Sequence, residues 1–177
     1  FKNGSKLIYN DVRKFGFIKF DKVNQYKKNS HLRFLGPEPQ ENAYNFKYFY
    51  NYVKGKNKTV KNLLMDQKFV SGLGNIYVNE ILFYSSVKPT RKAIKLKETE
   101  IKKILANTKK ILKKAIIAGG SSIKNFSSTS GKAGSFQQHF CVYGKKGSKC
   151  SNSDCKGVIK KIVISNRASF FCPLCQK

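Results

Sequence analysis

Four cysteines, Cys150, Cys155, Cys172 and Cys175, stand near the end of the chain in the spacing C-x4-C, sixteen residues, C-x2-C. Two close pairs at about this separation are zinc-ribbon spacing: four thiolates converge tetrahedrally on Zn²⁺ at about 2.3 Å, and each pair wraps one edge of the ion. The first pair is longer than usual, which predicts a looser knuckle. A single structural Zn²⁺ is favoured over a pair of disulfides, because FKNGSKLIYN lacks a secretory h-region and a tiny hairpin needs a staple. An iron site with the same four ligands stays open on spacing alone. The fifth cysteine, Cys141 in HFCVYG, is predicted to pack rather than to ligate.

These ligands need elements to hold them. VIKKIVIS and NRASFF, between the pairs, predict a hairpin with Asn166-Arg167 at or near its turn, so that a metal would project Arg167 at a fixed place. Arg is rare here, at Arg13, Arg33, Arg91 and Arg167 in a lysine-rich chain, and suggests places where its planar five-donor fork matters, although an arginine in an isolated turn is more often only solvated. Upstream, KFVSGLGNIYVNEIL carries Gly72 and Gly74, with Asn75 placed to cap a helix from Ile76. The N–H groups at such a helix start are a phosphate seat, although a Gly-rich turn is more often only a turn. Ile101, Ile104, Leu105, Thr108, Ile111, Leu112 and Ala115 repeat at three and four and predict a helix, with Glu98 and Glu100 in its first turn, Lys113 and Lys114 in its last, and Gly119-Gly120 as its stop. SSTSGKAGSFQQ, with Lys132 in its middle, has the composition of a mobile linker. KLIYNDV and FGFIKF read as two strands around Arg13-Lys14, too little to close a sheet, and residues 21–43 with Gly36-Pro37-Glu38-Pro39 read as a linker.

Charge narrows the partner. Thirty-six Lys and Arg against nine Asp and Glu give a net charge of +27. A/T-rich codons would explain the Lys, Asn and Ile but would not suppress Glu, so a polyanionic partner, nucleic acid first, explains the balance better. An anionic membrane surface is the runner-up, weakened by the lack of an amphipathic helix with bulky anchors. No run approaches the roughly eighteen apolar residues of a membrane span. Because Phe rather than Met comes first, the chain is expected to begin inside a longer reading frame.

In this order YNDVRKFG, LGPEP, LLMDQKFVSGLGNIYVNE, GGSSIKNF, GKAGSFQQ, VYGKKG and the clasp ending FFCPLCQK resemble the formamidopyrimidine-DNA glycosylase family, bacterial enzymes that excise oxidised purines and nick the abasic strand. The resemblance implies a mainly α fold with a small β part. Its divisions would be the last strands of an N-terminal β-sandwich over 1–24, a linker over 25–45, a helix-two-turns-helix domain over 46–128, a lesion-covering loop over 129–139 and a zinc-finger hairpin over 140–177. It implies one structural Zn²⁺ on Cys150, Cys155, Cys172 and Cys175. It places Asn75 and Arg167 on the phosphates around the lesion, with Arg167 also a proton donor in the final elimination, and Lys58 and Lys61 on the strand. Arg13 would face the orphaned cytosine, Phe15 would wedge the stack and Lys14 would meet phosphate, filling the hole that base flipping leaves. Lys132 would fall in the lesion-covering loop, reversing the linker reading. The Arg-Lys-Phe triplet favours this family over its relative endonuclease VIII, and so oxidised purines over oxidised pyrimidines.

The implied partner is double-stranded DNA carrying an oxidised purine or an abasic site, met by a monomer without a membrane, in a bacterial cytoplasm and near the nucleoid. The family's nucleophile is an N-terminal proline followed by glutamate, whose α-amine near pKa ~7.7–8 is partly neutral at neutral pH. The chain starts at Phe1 instead. Two readings follow: the DNA-gripping C-terminal part of a glycosylase and lyase, inactive alone, or a catalytically inactive zinc-dependent DNA-binding module of the same fold.

Overall fold

The computed structural model describes residues 1–11, 14–25, 28–121 and 134–177. The chain divides into two compact units, Phe1–Phe34 and Leu35–Lys177.

The first unit holds turns and extended backbone, and no strand forms among its described residues. This corrects the two strands expected over KLIYNDV and FGFIKF. An extended segment becomes a strand only when a neighbouring edge takes up its N–H and C=O groups, and these described residues offer each other none. Phe17 and Phe20 remain exposed. Local order comes from Asp11, whose carboxylate accepts the Gly16 N–H at 2.6 Å, and from Phe17 against His31 at 4.4 Å between ring centroids.

The second unit is a helical core followed by a hairpin. Helix α1 (Phe46–Val53) starts at Asn45, whose side chain accepts the Tyr48 N–H at 3.0 Å, and buries Phe49 and Val53 one turn apart. Helix α2 (Val60–Leu64) is capped in the same way by Thr59. Helix α3 (Asn75–Tyr84) begins at Gly74 with no side-chain cap, so the cap expected from Asn75 is not made. Helix α4 (Glu98–Ile117) buries Ile101, Ile104, Thr108, Ile111 and Ala115, as its three-and-four spacing requires. Its first turn is closed by Glu100, which accepts the Lys97 N–H at 2.8 Å and holds Arg91 at 2.6 Å. Its end is closed by Gly119 and Gly120 at φ +70° and +82°, with Gly120 N–H reaching Ala115 C=O at 2.8 Å.

The proline-rich stretch from Leu35 is not a free linker. Gly36 N–H bonds to Gln67 C=O at 2.8 Å and Ser71 N–H to Pro37 C=O at 3.1 Å. A Cβ on Gly36 would lie 2.5 Å from Phe69 C=O, so only glycine permits that approach. Tyr44 is fully buried in the core of α1, α3 and α4.

Strands β1 (Lys160–Ile164) and β2 (Arg167–Phe171) pair antiparallel from Lys160 with Phe171 to Ile164 with Arg167. The two-residue turn is Ser165-Asn166 at φ +46° and +59°, the primed geometry that matches strand twist, and Arg167 opens β2 directly after it. Phe83 of α3, Val142, Ile159 and Phe170 form a second small core around Cys172.

Candidate functional site

Helix α3 and strand β2 are fastened to each other by polar side chains that reach across residue by residue. Asn75 donates its Nδ2 to Ala168 C=O at 3.0 Å. One turn on, Asn79 accepts the Phe170 N–H on Oδ1 at 2.6 Å and donates Nδ2 to Asn75 C=O at 2.6 Å. From α2, Lys61 donates Nζ to the same Ala168 C=O at 2.9 Å and to Ser169 Oγ at 2.6 Å, and Ser169 Oγ in turn donates to Arg167 C=O at 3.3 Å. Asn62 Nδ2 holds Ser165 Oγ in the turn at 2.9 Å. Residues 165, 168, 169 and 170 are thus each tied to α2 or α3, and Arg167 stands exposed among them.

The result is a surface on which two groups suited to phosphate lie together. At the start of α3 the first N–H groups have no intrahelical partner and carry the positive end of the helix dipole. Beside them, Asn75 bonds Ala168, the residue next to exposed Arg167, so Arg167 lies close along β2 to that helix start. Lys61 is fully buried. Burial, and after it the Arg167 charge, pulls its ammonium down to about 8. Lys58 lies on the approach to α2 and pairs with Asp66 at 2.7 Å. Burial alone would raise the Asp66 carboxyl, but the Lys58 ammonium and the Lys68 N–H outweigh it and hold it below its ordinary value.

Lys14 and Phe15 are exposed in the first unit. Arg13 and Lys132 lie outside the described residues.

The segment that leads into the hairpin is anchored by Glu80 of α3, which is 1 % exposed. Its Oε1 accepts the N–H of Val142 at 3.1 Å and of Tyr143 at 2.8 Å, and its Oε2 that of Cys141 at 2.8 Å. Burial pushes its carboxyl up, against the pull of these N–H groups and of Lys145. Cys141 sits apart from the other thiols, with its Sγ 3.1 Å from Tyr84 Oη. At the far end Gln176, fully packed, accepts the Cys172 N–H at 2.9 Å and donates to Val87 C=O at 2.9 Å.

The Sγ atoms of Cys150, Cys155, Cys172 and Cys175 lie within 4.8 Å of one another, with Cys150 to Cys175 at 3.5 Å and Cys155 to Cys172 at 3.6 Å. Four thiolates about 2.3 Å from one Zn²⁺ in a tetrahedron stand about 3.8 Å apart, so the cluster fits the ion. Gly157 makes room for it: a Cβ there would meet Cys172 Sγ at 2.5 Å and Cys155 Sγ at 3.2 Å. Its N–H also points at Cys155 Sγ at 3.3 Å, a donor that favours thiolate. Zinc held by all four thiolates would cross-link the two knuckles and keep no open position for chemistry.

Asn62, Asn79, Glu80 and Ser169 have no counterpart in the sequence reading. The signal was present for Asn79, since Asn75 and Asn79 are one turn apart on a helix whose other residues, Glu80 apart, are aliphatic or aromatic. Nothing in the sequence marked Ser169, whose partner Lys61 is 108 residues away.

Two family descriptions match the chain: "Formamidopyrimidine-DNA glycosylase H2TH domain" over residues 35–127 and "Zinc finger found in FPG and IleRS" over 147–177. Formamidopyrimidine-DNA glycosylase of Dinoroseobacter shibae is 39% identical over 177 residues, covering 100% of this chain and 62% of the relative, and that of Oceanobacillus iheyensis is 41% identical over 176 residues, covering 99% and 62%. The chain therefore spans less than two thirds of the length of the curated relatives it matches. A Lactococcus lactis Fpg mutant in complex with Fapy-dG containing DNA superposes with a TM-score of 0.87 at 37% identity, covering 94% of this chain and 60% of that one. MutM (Fpg) of Thermus thermophilus gives 0.79 at 34%, covering 85% and 57%. No helix among the described residues is long and apolar enough to cross a membrane.

Proposed function

Since the chain belongs to the formamidopyrimidine-DNA glycosylase family, we propose that it grips duplex DNA around an oxidised purine or an abasic site, as the DNA-holding part of a base-excision glycosylase and lyase. The observation that carries this reading is the bond from Asn75 Nδ2 to Ala168 C=O, which sets the open start of α3 beside Arg167. Asn75 and the α3 N–H groups then take one phosphate and Arg167 its neighbour, with the guanidinium also placed to give a proton in the elimination. Lys58 exchanges its surface pair with Asp66 for phosphate, a small cost because exposed pairs contribute about 0–1 kcal/mol. Lys61, with two of its three N–H groups spent on β2, acts by fixing the strand that carries Arg167. Arg13, Lys14 and Phe15 are assigned to the space left by the flipped nucleotide, and Lys132 to the loop that covers it. Formamidopyrimidine and 8-oxoguanine are the proposed lesions. Relatives solved with Fapy-dG and with carbocyclic 8-oxo-G DNA support this choice. Chromosomal DNA is the place of action.

These 177 residues contain no N-terminal proline followed by glutamate, an exposed lysine is protonated at neutral pH and a poor nucleophile, and Lys61, whose ammonium is pulled down to about 8 by burial, is buried with its Nζ held on Ala168 and Ser169. By themselves they hold lesion DNA without releasing the base. Borohydride trapping on duplexes with 8-oxoguanine or an abasic site tests this: retention of the duplex with no covalent adduct is expected. A covalent adduct formed by the pure chain would show that one of its own lysines is the nucleophile.

A further inference from the structure

An open groove of about 480 Å³ runs along the outer side of α1, lined by Asn45, Lys47, Tyr48, Asn51 and Tyr52. Helix α1 packs on α4, while the hairpin packs on α3, so the groove is not part of the surface around Arg167. We propose that this groove is a second contact for the same DNA, taking the phosphate backbone of duplex that continues past Lys58. The inference rests on the proposed function.

Lysines on a helix commonly do no more than keep it solvated. Three observations set this groove apart. Its floor is fixed: Tyr48 stacks on Phe69 at 5.7 Å and 7° and donates its Oη to Phe69 C=O at 2.8 Å, and Tyr52 meets the same ring at 4.6 Å. Its rim is fixed too. The stretch between α1 and α2 is bonded to the segment before α4 through Ala93 N–H to Lys58 C=O at 2.9 Å, Ile94 N–H to Lys56 C=O at 3.2 Å and Lys92 Nζ to Asn57 C=O at 3.0 Å. Lys56 Nζ rests 5.3 Å from the Tyr52 ring centroid. Lastly, the charge is of one sign: α1 has no acidic residue, and neither Lys47 nor Lys56 forms an ion pair among the described residues.

The groove is also linked to Lys58 through bonded residues. Lys58 bonds Asp66, Asp66 C=O accepts the Phe69 N–H at 2.8 Å, and Phe69 C=O accepts Tyr48 Oη. Lys56 and Lys58 are at most about 7 Å apart along the chain. Helix α1 adds about 12 Å, the axial length of three or four base pairs at about 3.4 Å each. A backbone leaving Lys58 is therefore met by Lys56 and then by Asn51 and Lys47, one turn apart. Because the groove lies on one side of Lys58, it serves the duplex on one side of the lesion only.

The experiment compares Lys47→Gln/Lys56→Gln with the wild-type chain on three abasic-analogue duplexes: a minimal one, and two extended by about six base pairs on one side or the other. On one extended duplex the double variant is expected to lose about three- to tenfold in affinity and to flatten the log–log salt slope by about 1–2. The other two duplexes should bind it as wild type does. As a matched removal of charge, Lys110→Gln/Lys114→Gln on the exposed face of α4 should leave the one-sided difference intact. Equal losses on all three duplexes, or none, would overturn the groove while leaving the proposed function standing. Failure of the wild-type chain to bind even the minimal duplex would overturn both.

Discussion

At the scale of single residues, Lys61 joins stability to presentation of the site. Its two acceptors, Ala168 C=O and Ser169 Oγ, sit in the strand that carries Arg167, and burial lowers its folded pKa to about 8 from an ordinary 10.5. A lysine with a depressed folded pKa binds fewer protons in the folded than in the unfolded state between those values. Its contribution is therefore present above the unfolded pKa and is lost as pH falls through the folded one. Chemical denaturation across pH 7.5 to 10.5 should show wild-type stability rising relative to Lys61→Met by the order of 1–3 kcal/mol; parallel curves would mean that Lys61 is not titrating there. At pH 8 the variant should also weaken binding of lesion DNA, because Ser169 Oγ loses its donor and Ala168 C=O is left with Asn75 alone, at about 1–3 kcal/mol for a buried unsatisfied group. Sequence reading found Lys61 and Asn75 through motif order, but not their geometry. The cap expected of Asn75 is absent because its amide is drawn to a strand 93 residues away, a partner that local spacing does not reveal.

At the scale of elements, α4 and the hairpin were legible because their signals are local: apolar spacing at three and four, glycine stops, and cysteine pairs around alternating residues. The packed stretch from Leu35 was not, since Gly36-Pro37-Glu38-Pro39 looks like a linker until Phe69 is seen against Gly36. The strands expected in the first unit failed for the opposite reason, as alternation specifies a face but not a pairing edge. The bonds that orient the hairpin are the least legible and the most open to test. Glu80→Gln replaces one of the two accepting oxygens by an amide donor that faces at least one of the three N–H groups and should cost about 2–4 kcal/mol of stability, with the largest loss of amide-exchange protection at Cys141 to Tyr143; uniform loss across the chain would contradict that anchoring role. Gly157→Ala places a methyl group against Cys172 and Cys155 and should lower zinc affinity, read by competition with a chromophoric chelator. An unchanged affinity would mean that the knuckles close without that contact.

At the scale of the whole molecule, the charge of +27 and the tethered pair of α3 and β2 belong to one account. In the proposed function this field draws a polyanion without regard to sequence, and the pairing of α3 with β2 sets where the strand is held. Affinity for abasic-analogue DNA should fall linearly with salt on a log–log plot, at about −0.9 per phosphate neutralised. Zinc enters because it fixes the hairpin that presents Arg167, which the α3 tethers orient but do not fold. The central claim is thus that metal, hairpin and DNA affinity are linked. It is tested most directly by measuring the dissociation constant of the 177-residue chain for an abasic-analogue duplex before zinc removal, after chelation, and after zinc is restored. The account predicts a loss of about tenfold or more on chelation and full recovery with zinc. An affinity that stays the same through all three states, with zinc loss verified by metal analysis, would contradict it.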